Sequence, residues 1–273
     1  GRIERGAGQA DQYCQLATSQ EGTQGMSVDR ENGVSRIQAL EAELAAMRAD
    51  VQQFAYAVSH DLRAPLRHIV SYAQLVQEDA GGQLNDEVQG FLRTMADSAR
   101  HMGTQLDGLA AWARVGTVEL QPQQVNLHDL VHSLHQTLAG QAGPSMQWEF
   151  ASDLPTVRAD PNMLRQALEQ VLGNAVKFSA GQAAPRIAIA PWQDRVQGLI
   201  GLCVQDHGAG YNPAQQGGLF KVFGRLHSTQ QFPGIGMGLA ITRRIMERLG
   251  GQVAITSPGV GQGATVTMGL PIQ

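Results

Sequence analysis

From Ile37 onward, apolar side chains recur at alternating steps of three and four: Ile37, Leu40, Leu44, Met47, Val51, Phe54 and Val58. That spacing is a heptad seam, which commits the segment to a long helix with one stripe to bury. Between the seam positions stand Ala, Glu, Gln and Arg, all good helix formers. The stripe continues through Leu62, Leu66, Ile69, Ala73 and Val76, but the steps from Phe54 to Leu66 are four, four, four, which locally unwinds a supercoil. Gly81 and Gly82 end the helix. A second stripe, Val88, Leu92, Met95, Ala99, Met102, Leu106, Leu109 and Ala113, follows without a miss. One hairpin with such stripes leaves apolar surface uncovered. Two hairpins in a dimeric four-helix bundle cover it.

Past residue 116 the texture is globular. Residues 126–139 read as an amphipathic helix with Leu127, Leu130, Val131, Leu134 and Leu138 inward, and 160–178 as a second, with Pro161 in its first turn. Strands are expected at 146–150, 156–158, 186–191 and 196–205, then a helix at 237–249 and a closing hairpin at 252–257 and 264–269. This pattern predicts an α+β fold, with helices packed on one mixed or antiparallel sheet. The division is then a disordered tail over 1–33, a helical domain over 34–115, a linker at 116–122 and a globular domain over 123–273.

Composition narrows the function. Of 273 residues, 42% are hydrophobic and 16% charged, with a net charge of −4. No basic excess exists for gripping nucleic acid or an anionic membrane. Cys14 and Cys203 lack zinc or CxxC spacing, which favours a reducing, cytoplasmic setting, and Cys203 reads as core. No apolar run approaches the roughly 18 residues of a membrane span, and no signal-peptide pattern opens the chain.

Two constellations carry chemistry. His60 stands two residues past Val58, pointing away from the stripe, with Asp61 beside it and Pro65 close behind. A solvent-facing imidazole next to a carboxylate, on a turn loosened by proline, is placed to act as a nucleophile, although alone it is also the pattern of an ordinary exposed histidine. The glycines are the second. Asp206-His207-Gly208-Ala209-Gly210 closes a strand, and Gly234-Ile235-Gly236-Met237-Gly238 precedes a helix. Glycines there let backbone N–H groups approach phosphate at a helix N-terminus. Upstream, Asn174 offers a neutral oxygen to Mg²⁺ and Lys177 offers charge to phosphate. His128, His132 and His135 share one helix face at metal-compatible spacing, but no cluster of carboxylates or cysteines accompanies them, so they read as a solvated face. Trp112, Trp148 and Trp192 read as packing residues.

Taken together, these segments resemble a known family. FAYAVSHDLRAPLRHI at 54–69 is similar to the phosphoacceptor box of sensor histidine kinases. LGNAVKFS at 172–179, DHGAG at 206–210, LFKVF at 219–223 and GIGMGLAI at 234–241 resemble their N, G1, F and G2 boxes, and GQGATV at 261–266 the last glycine box. All six stand in the family's order, over roughly residues 35–273, and the run ending in GIGMGLAI is especially similar to phytochrome-type kinases.

The resemblance implies a dimerisation and histidine-phosphotransfer bundle followed by a GHKL-type ATP-binding sandwich. His60 would accept the γ-phosphoryl group of ATP, with Asp61 orienting it, and pass it to an aspartate of a separate response regulator. Asp206 would bind the adenine amino group, Gly208 and Gly210 would admit the purine, and Thr265 would support Asp206 from a neighbouring strand. Asn174 and Gln170 would serve Mg²⁺, and Lys177 a phosphate oxygen. Gly234, Gly236 and Gly238 would shape the phosphate end, and Phe220 and Phe223 would anchor the lid. The partners implied are a second copy of the chain, a receiver domain, and a sensory domain or protein upstream.

Three positions depart from the pattern. Gln170 replaces the usual first Asn of the N box, Ile235 replaces the commoner Thr between glycines, and Ala64 stands where bifunctional members carry Thr or Asn. The last implies little phosphatase activity. Two rival readings stand beside the kinase: another GHKL-type ATPase, and a degenerate kinase serving as a dimeric signalling scaffold.

Overall fold

The computed structural model describes residues 10–142, 145–228 and 230–272, with side chains from Ser35 onward except at 48, 141 and 142. The chain divides into two units, Gly1–Val51 and Gln52–Gln273. Helix α1 is assigned over Ala10–Ala80. Helix thus occupies most of the segment expected as a disordered tail over 1–33, and residues 1–9 of that expectation lie outside the described residues. The reason is local: good helix formers such as Gln12, Gln15, Ala17, Gln20 and Glu21 recur there, and glycines such as Gly22 and Gly25 cost about 1 kcal/mol each without blocking a helix. In the first unit Ile37, Leu40, Leu44, Met47 and Val51 are all exposed.

The second unit begins with the remainder of α1, which runs through Pro65 without ending. A single 3-10 turn, Gly81–Gln83, leads into α2, Asp86–Val115. Asn85 caps α2 by accepting from the Val88 amide at 2.9 Å, and Asp86 and Glu87 add negative charge to its first turn. Arg63 on α1 reaches Asp107 on α2 at 2.7 Å. Apart from Gln52 and Val115, the buried positions of this hairpin are small: Ala55, Ser59, Ala73, Ala96, Ala99, Ala110 and Ala113. Large apolar side chains from both stripes remain uncovered, among them Phe54, Leu62, Ile69, Val76, Val88, Met95 and Met102.

After the segment 116–122, strand β1 (Gln123–Asn126) pairs antiparallel with β3 (Thr156–Ala159) as a separate two-stranded sheet. The sequence pattern did not predict β1, because its polar alternation Gln-Gln-Val-Asn buries only Val125. The main sheet holds β2 (Gln147–Phe150), β4 (Arg186–Asp194), β5 (Leu199–Asp206), β7 (Ala264–Pro271) and β6 (Gln252–Thr256), in that spatial order. Only β2 and β4 run parallel. Against the sheet pack α3 (Leu127–Ala142), α4 (Pro161–Ser179) and α5 (Gly238–Arg248), around a core that includes Leu134, Leu168, Leu172, Ile187, Val204 and Ile245. The α+β expectation holds.

Asp160 fixes the entry to this domain. Its Oδ1 accepts from the Asn162 and Met163 amides at 3.0 Å, capping α4, while Oδ2 accepts from Gln121 at 2.9 Å and ties down the linker. Burial works against its charge, but these backbone donors and the Arg248 charge outweigh it, so its carboxyl is held below the ordinary value.

Two expectations about side chains change. The face of His128, His132 and His135 is half-buried rather than solvated: His132 lies 4.5 Å from the Phe150 ring and His135 4.8 Å from the Trp148 ring. Alternation along β2 turns both aromatics toward α3, and among the described residues no three metal-binding side chains gather into a group. Cys203 is half-buried rather than core, because it falls on the strand face opposite Leu202 and Val204.

Candidate nucleotide site and phosphoacceptor

Helix α4 presents Gln170, Asn174 and Lys177 on one face, at steps of four and three, and all three line a cavity of about 450 Å³. The opposite wall comes from the end of β5, the glycine segment before α5 and the intervening residues 219–237. Asp206, Gly210, Gly234, Gly236 and Gly238 line the same cavity. Residues 32 positions apart in sequence thus meet because β5 and α5 both pack on α4.

Asp206 ends β5 as a buried carboxylate whose Oδ1 accepts from the Gly208 amide at 2.9 Å and the Ala264 amide at 3.2 Å. Burial pushes its carboxyl above the ordinary range; those two donors and His207 pull back only in part. Its Oδ2 makes none of these bonds and is free to meet a donor in the cavity. Thr265 does not support it. Residue Thr265 stands opposite Gln205, while Asp206 stands opposite Ala264, so the threonine side chain points to the other face of the sheet. The support from β7 is a backbone N–H.

Gly210 holds φ at 55°, and a side chain there would press on the Gly263 carbonyl. That carbonyl belongs to the last glycine turn, which also donates from Gly261 to Ala209 at 2.6 Å and from Gly263 to Gly208 at 3.0 Å. At the other end Gly236 holds φ at 74° with its α-carbon against the Gly224 and Phe223 backbone. Phe223 itself sits at φ 60°, a strained value for a side-chain-bearing residue, at the base of the lid.

Lys177 is half-buried, 4.4 Å over the Phe178 ring. Burial first and the Arg225 charge second lower its ammonium below the ordinary value, so it gains on meeting an anion. Gln170 Oε1 and the Asn174 amide both approach Gly238, at the start of α5.

Of the residues expected around the purine, Gly208 does not line this cavity. Phe220 packs against the domain core, with Arg243 5.9 Å over its ring, while Phe223 is exposed. The lid residues that line the cavity are Leu219, Gly224, Arg225, Leu226, His227 and Phe232, and from α2 come Thr104, Asp107, Gly108 and Ala111. The sequence reading missed these. Phe178, beside Lys177 in the N box, and His227, in RLHS, carried the only available signal.

His60 lies apart from the cavity lining, with its side chain 70% exposed. Its Nδ1 stands 3.2 Å from Asp61 Oδ1, so Nε2 is the nitrogen turned to solvent.

An exposed helix histidine with a carboxylate on one nitrogen, followed by a glycine-lined cavity with a buried aspartate, is the layout expected of a phosphoacceptor and its ATP-binding domain. Residues 50–117 match the His Kinase A (phospho-acceptor) domain family, and residues 159–273 match the histidine kinase-, DNA gyrase B-, and HSP90-like ATPase family. The chain thus carries a phosphoacceptor domain and a histidine kinase-type ATPase domain. It is 31% identical over 233 residues to the phytochrome-like protein Cph1 of a Synechocystis species, a match covering 85% of this chain and 31% of that protein. Cyanobacterial phytochrome A of a Nostoc species is 30% identical, over 84% of this chain and 30% of its own length. The circadian input-output histidine kinase CikA of Synechococcus elongatus is 29% identical, over 84% and 31%. The chain spans about a third of the length of these curated relatives. Among solved structures, full-length ShkA in complex with AMPPNP is 27% identical with a TM-score of 0.57, over 80% of this chain and 45% of that one. Among the described residues no helix is long and apolar enough to cross a membrane.

Proposed function

We propose that this chain is an ATP-dependent protein-histidine autokinase that phosphorylates His60. The observation that carries the reading is the convergence of Asn174, Lys177, Asp206 and three glycines of the 234–238 segment on one cavity, in a chain whose hairpin exposes His60 beside Asp61. Asp206 accepts from the adenine amino group, the contact that makes a buried carboxylate worth its cost. Gly208 and Gly210 leave room for the purine, and Lys177 with Gly234, Gly236 and Gly238 holds the phosphates. Two neutral amide oxygens, from Gln170 and Asn174, suit a hard cation that keeps its waters and takes its remaining oxygens from nucleotide phosphates. Bound there, Mg²⁺ would neutralise charge developing on the transferred group.

The transfer itself is positioning plus electrostatics. Asp61 accepts the Nδ1 proton and keeps Nε2 free as the nucleophile. Because His60 does not line the cavity, transfer requires the ATP-binding domain to move on its hairpin or to serve the histidine of a second copy. The phosphoramidate formed is a reactive donor, suited to an aspartate on a separate response regulator.

The same reading assigns residues 34–115 to the coiled-coil and dimerisation domain, 116–122 to a linker and 123–273 to the ATP-binding domain. The uncovered stripe on the hairpin supports a homodimer. A cytoplasmic setting, a receiver-domain partner and an upstream sensory element complete it. Incubating the phosphorylated chain with receiver domains tests the relay: label leaves the chain for a receiver aspartate. A chain that binds ATP without ever donating phosphate would favour the scaffold reading.

A further inference from the structure

His227 belongs to the lid segment yet is tied to two walls of the nucleotide cavity, the loop after β5 and the end of α4. Its Nε2 lies 2.9 Å from the Gly210 carbonyl, so the imidazole donates there. Its ring centroid is 5.5 Å from Phe178 and 5.1 Å from Phe232, and those two rings are 4.9 Å apart at a steep angle. The anchors are rigid. Gly210 is locked by the turn at 259–263, and Phe178 ends α4 with its carbonyl accepting from Ala209 at 3.0 Å. The lid is tied internally as well: the Arg225 guanidinium donates to the Phe232 carbonyl at 2.7 Å and the His227 carbonyl at 3.4 Å.

We propose that His227 is the positioning residue of the lid: its hydrogen bond to Gly210 and its place between Phe178 and Phe232 hold the lid closed over bound nucleotide, with Arg225 in the cavity wall. The inference rests on the reading of this cavity as the ATP site. A lid held this way costs little ordering entropy when nucleotide arrives, so loss of the clasp weakens binding rather than the chemical step.

The test measures KM for ATP and kcat of autophosphorylation in the full chain for wild type, His227→Ala and His227→Gln, with hydrogen exchange over 225–236. Glutamine retains an amide donor at similar reach. The Ala variant is expected to raise KM about tenfold with kcat within about twofold, and to exchange faster in the lid, while Gln recovers most of the loss. An Ala variant with wild-type KM, or a Gln variant as impaired as Ala, overturns the proposal. Absence of ATP binding by wild type overturns the nucleotide reading itself, so the two failures are told apart by the wild-type titration.

Discussion

Ile235 is seated against Gly108: its Cδ1 occupies the space a side chain at residue 108 would need, with Met237 Cγ 2.9 Å from the same point. The glycine segment of the nucleotide cavity is therefore packed on α2, and the replacement of a hydroxyl by isoleucine gains an apolar contact where it loses a donor. Arg244 lies 3.7 Å over the Trp112 ring and Arg248 donates to the Val115 carbonyl along the same interface. Gly108→Leu should overpack this contact and destabilise the protein by about 1–3 kcal/mol, seen as a lower Tm. Ile235→Ala in that background should recover part of the loss. Strictly additive effects would contradict the packing.

Asp206 gives a prediction in which stability and function move oppositely. Its carboxyl is raised above 3.8 by burial, so between 3.8 and the folded value the native state binds more protons than the unfolded one, and stability falls as pH rises through that window. At neutral pH the protein carries that cost. Asp206→Asn keeps an oxygen for the Gly208 and Ala264 amides, so it should melt higher at pH 7, with the gain shrinking toward pH 3.8. ATP affinity should fall on the order of a hundredfold, because an amide N–H then faces the adenine amino group. Calorimetry and nucleotide titration on one sample check both.

His135 sets an acid limit. Burial first, and the neighbouring His132 second, lower its pKa below 6.5, so as pH drops below that value the unfolded chain takes up the proton before the folded one. Stability must therefore decline with acid in this range. His135→Phe, packed edge-on against Trp148 in its place, should flatten the fall in Tm below pH 6.5.

Much of the fold was legible because its signals are local. The second heptad stripe, Pro161 at the start of α4 and the apolar residues of β5 and β7 put elements within a few residues of their observed ends, whereas α1 begins well before the expected 34. What was hidden depends on register and on long-range packing. Thr265 and Ala264 are neighbours in the last strand, and only the pairing with Asp206 decides which of them supports the carboxylate. Phe220 and Phe223 look like lid anchors in sequence, and Phe220 packs against the core, but nothing local marks His227 and Phe232 as the lid residues that line the cavity. The contribution of Gly108 from a helix 127 residues before Ile235 leaves no mark in either segment alone.

Ala64, four residues past His60, offers no side-chain oxygen to orient water toward a phosphorylated partner. Net phosphatase activity on a purified phospho-receiver should be negligible, and Ala64→Thr should raise it at least several-fold without lowering autokinase activity by a comparable factor. Rapid receiver dephosphorylation by the unaltered chain would contradict this.

The central claim is that His60 is the residue phosphorylated. Incubation with γ-labelled ATP and Mg²⁺, followed by acid and alkali treatment of the protein, reads it directly. Wild type should acquire label that survives alkali and is lost in acid, as a phosphoramidate requires, and His60→Gln should acquire none. Label retained by His60→Gln, or a folded, ATP-binding wild type that never becomes labelled, would contradict it.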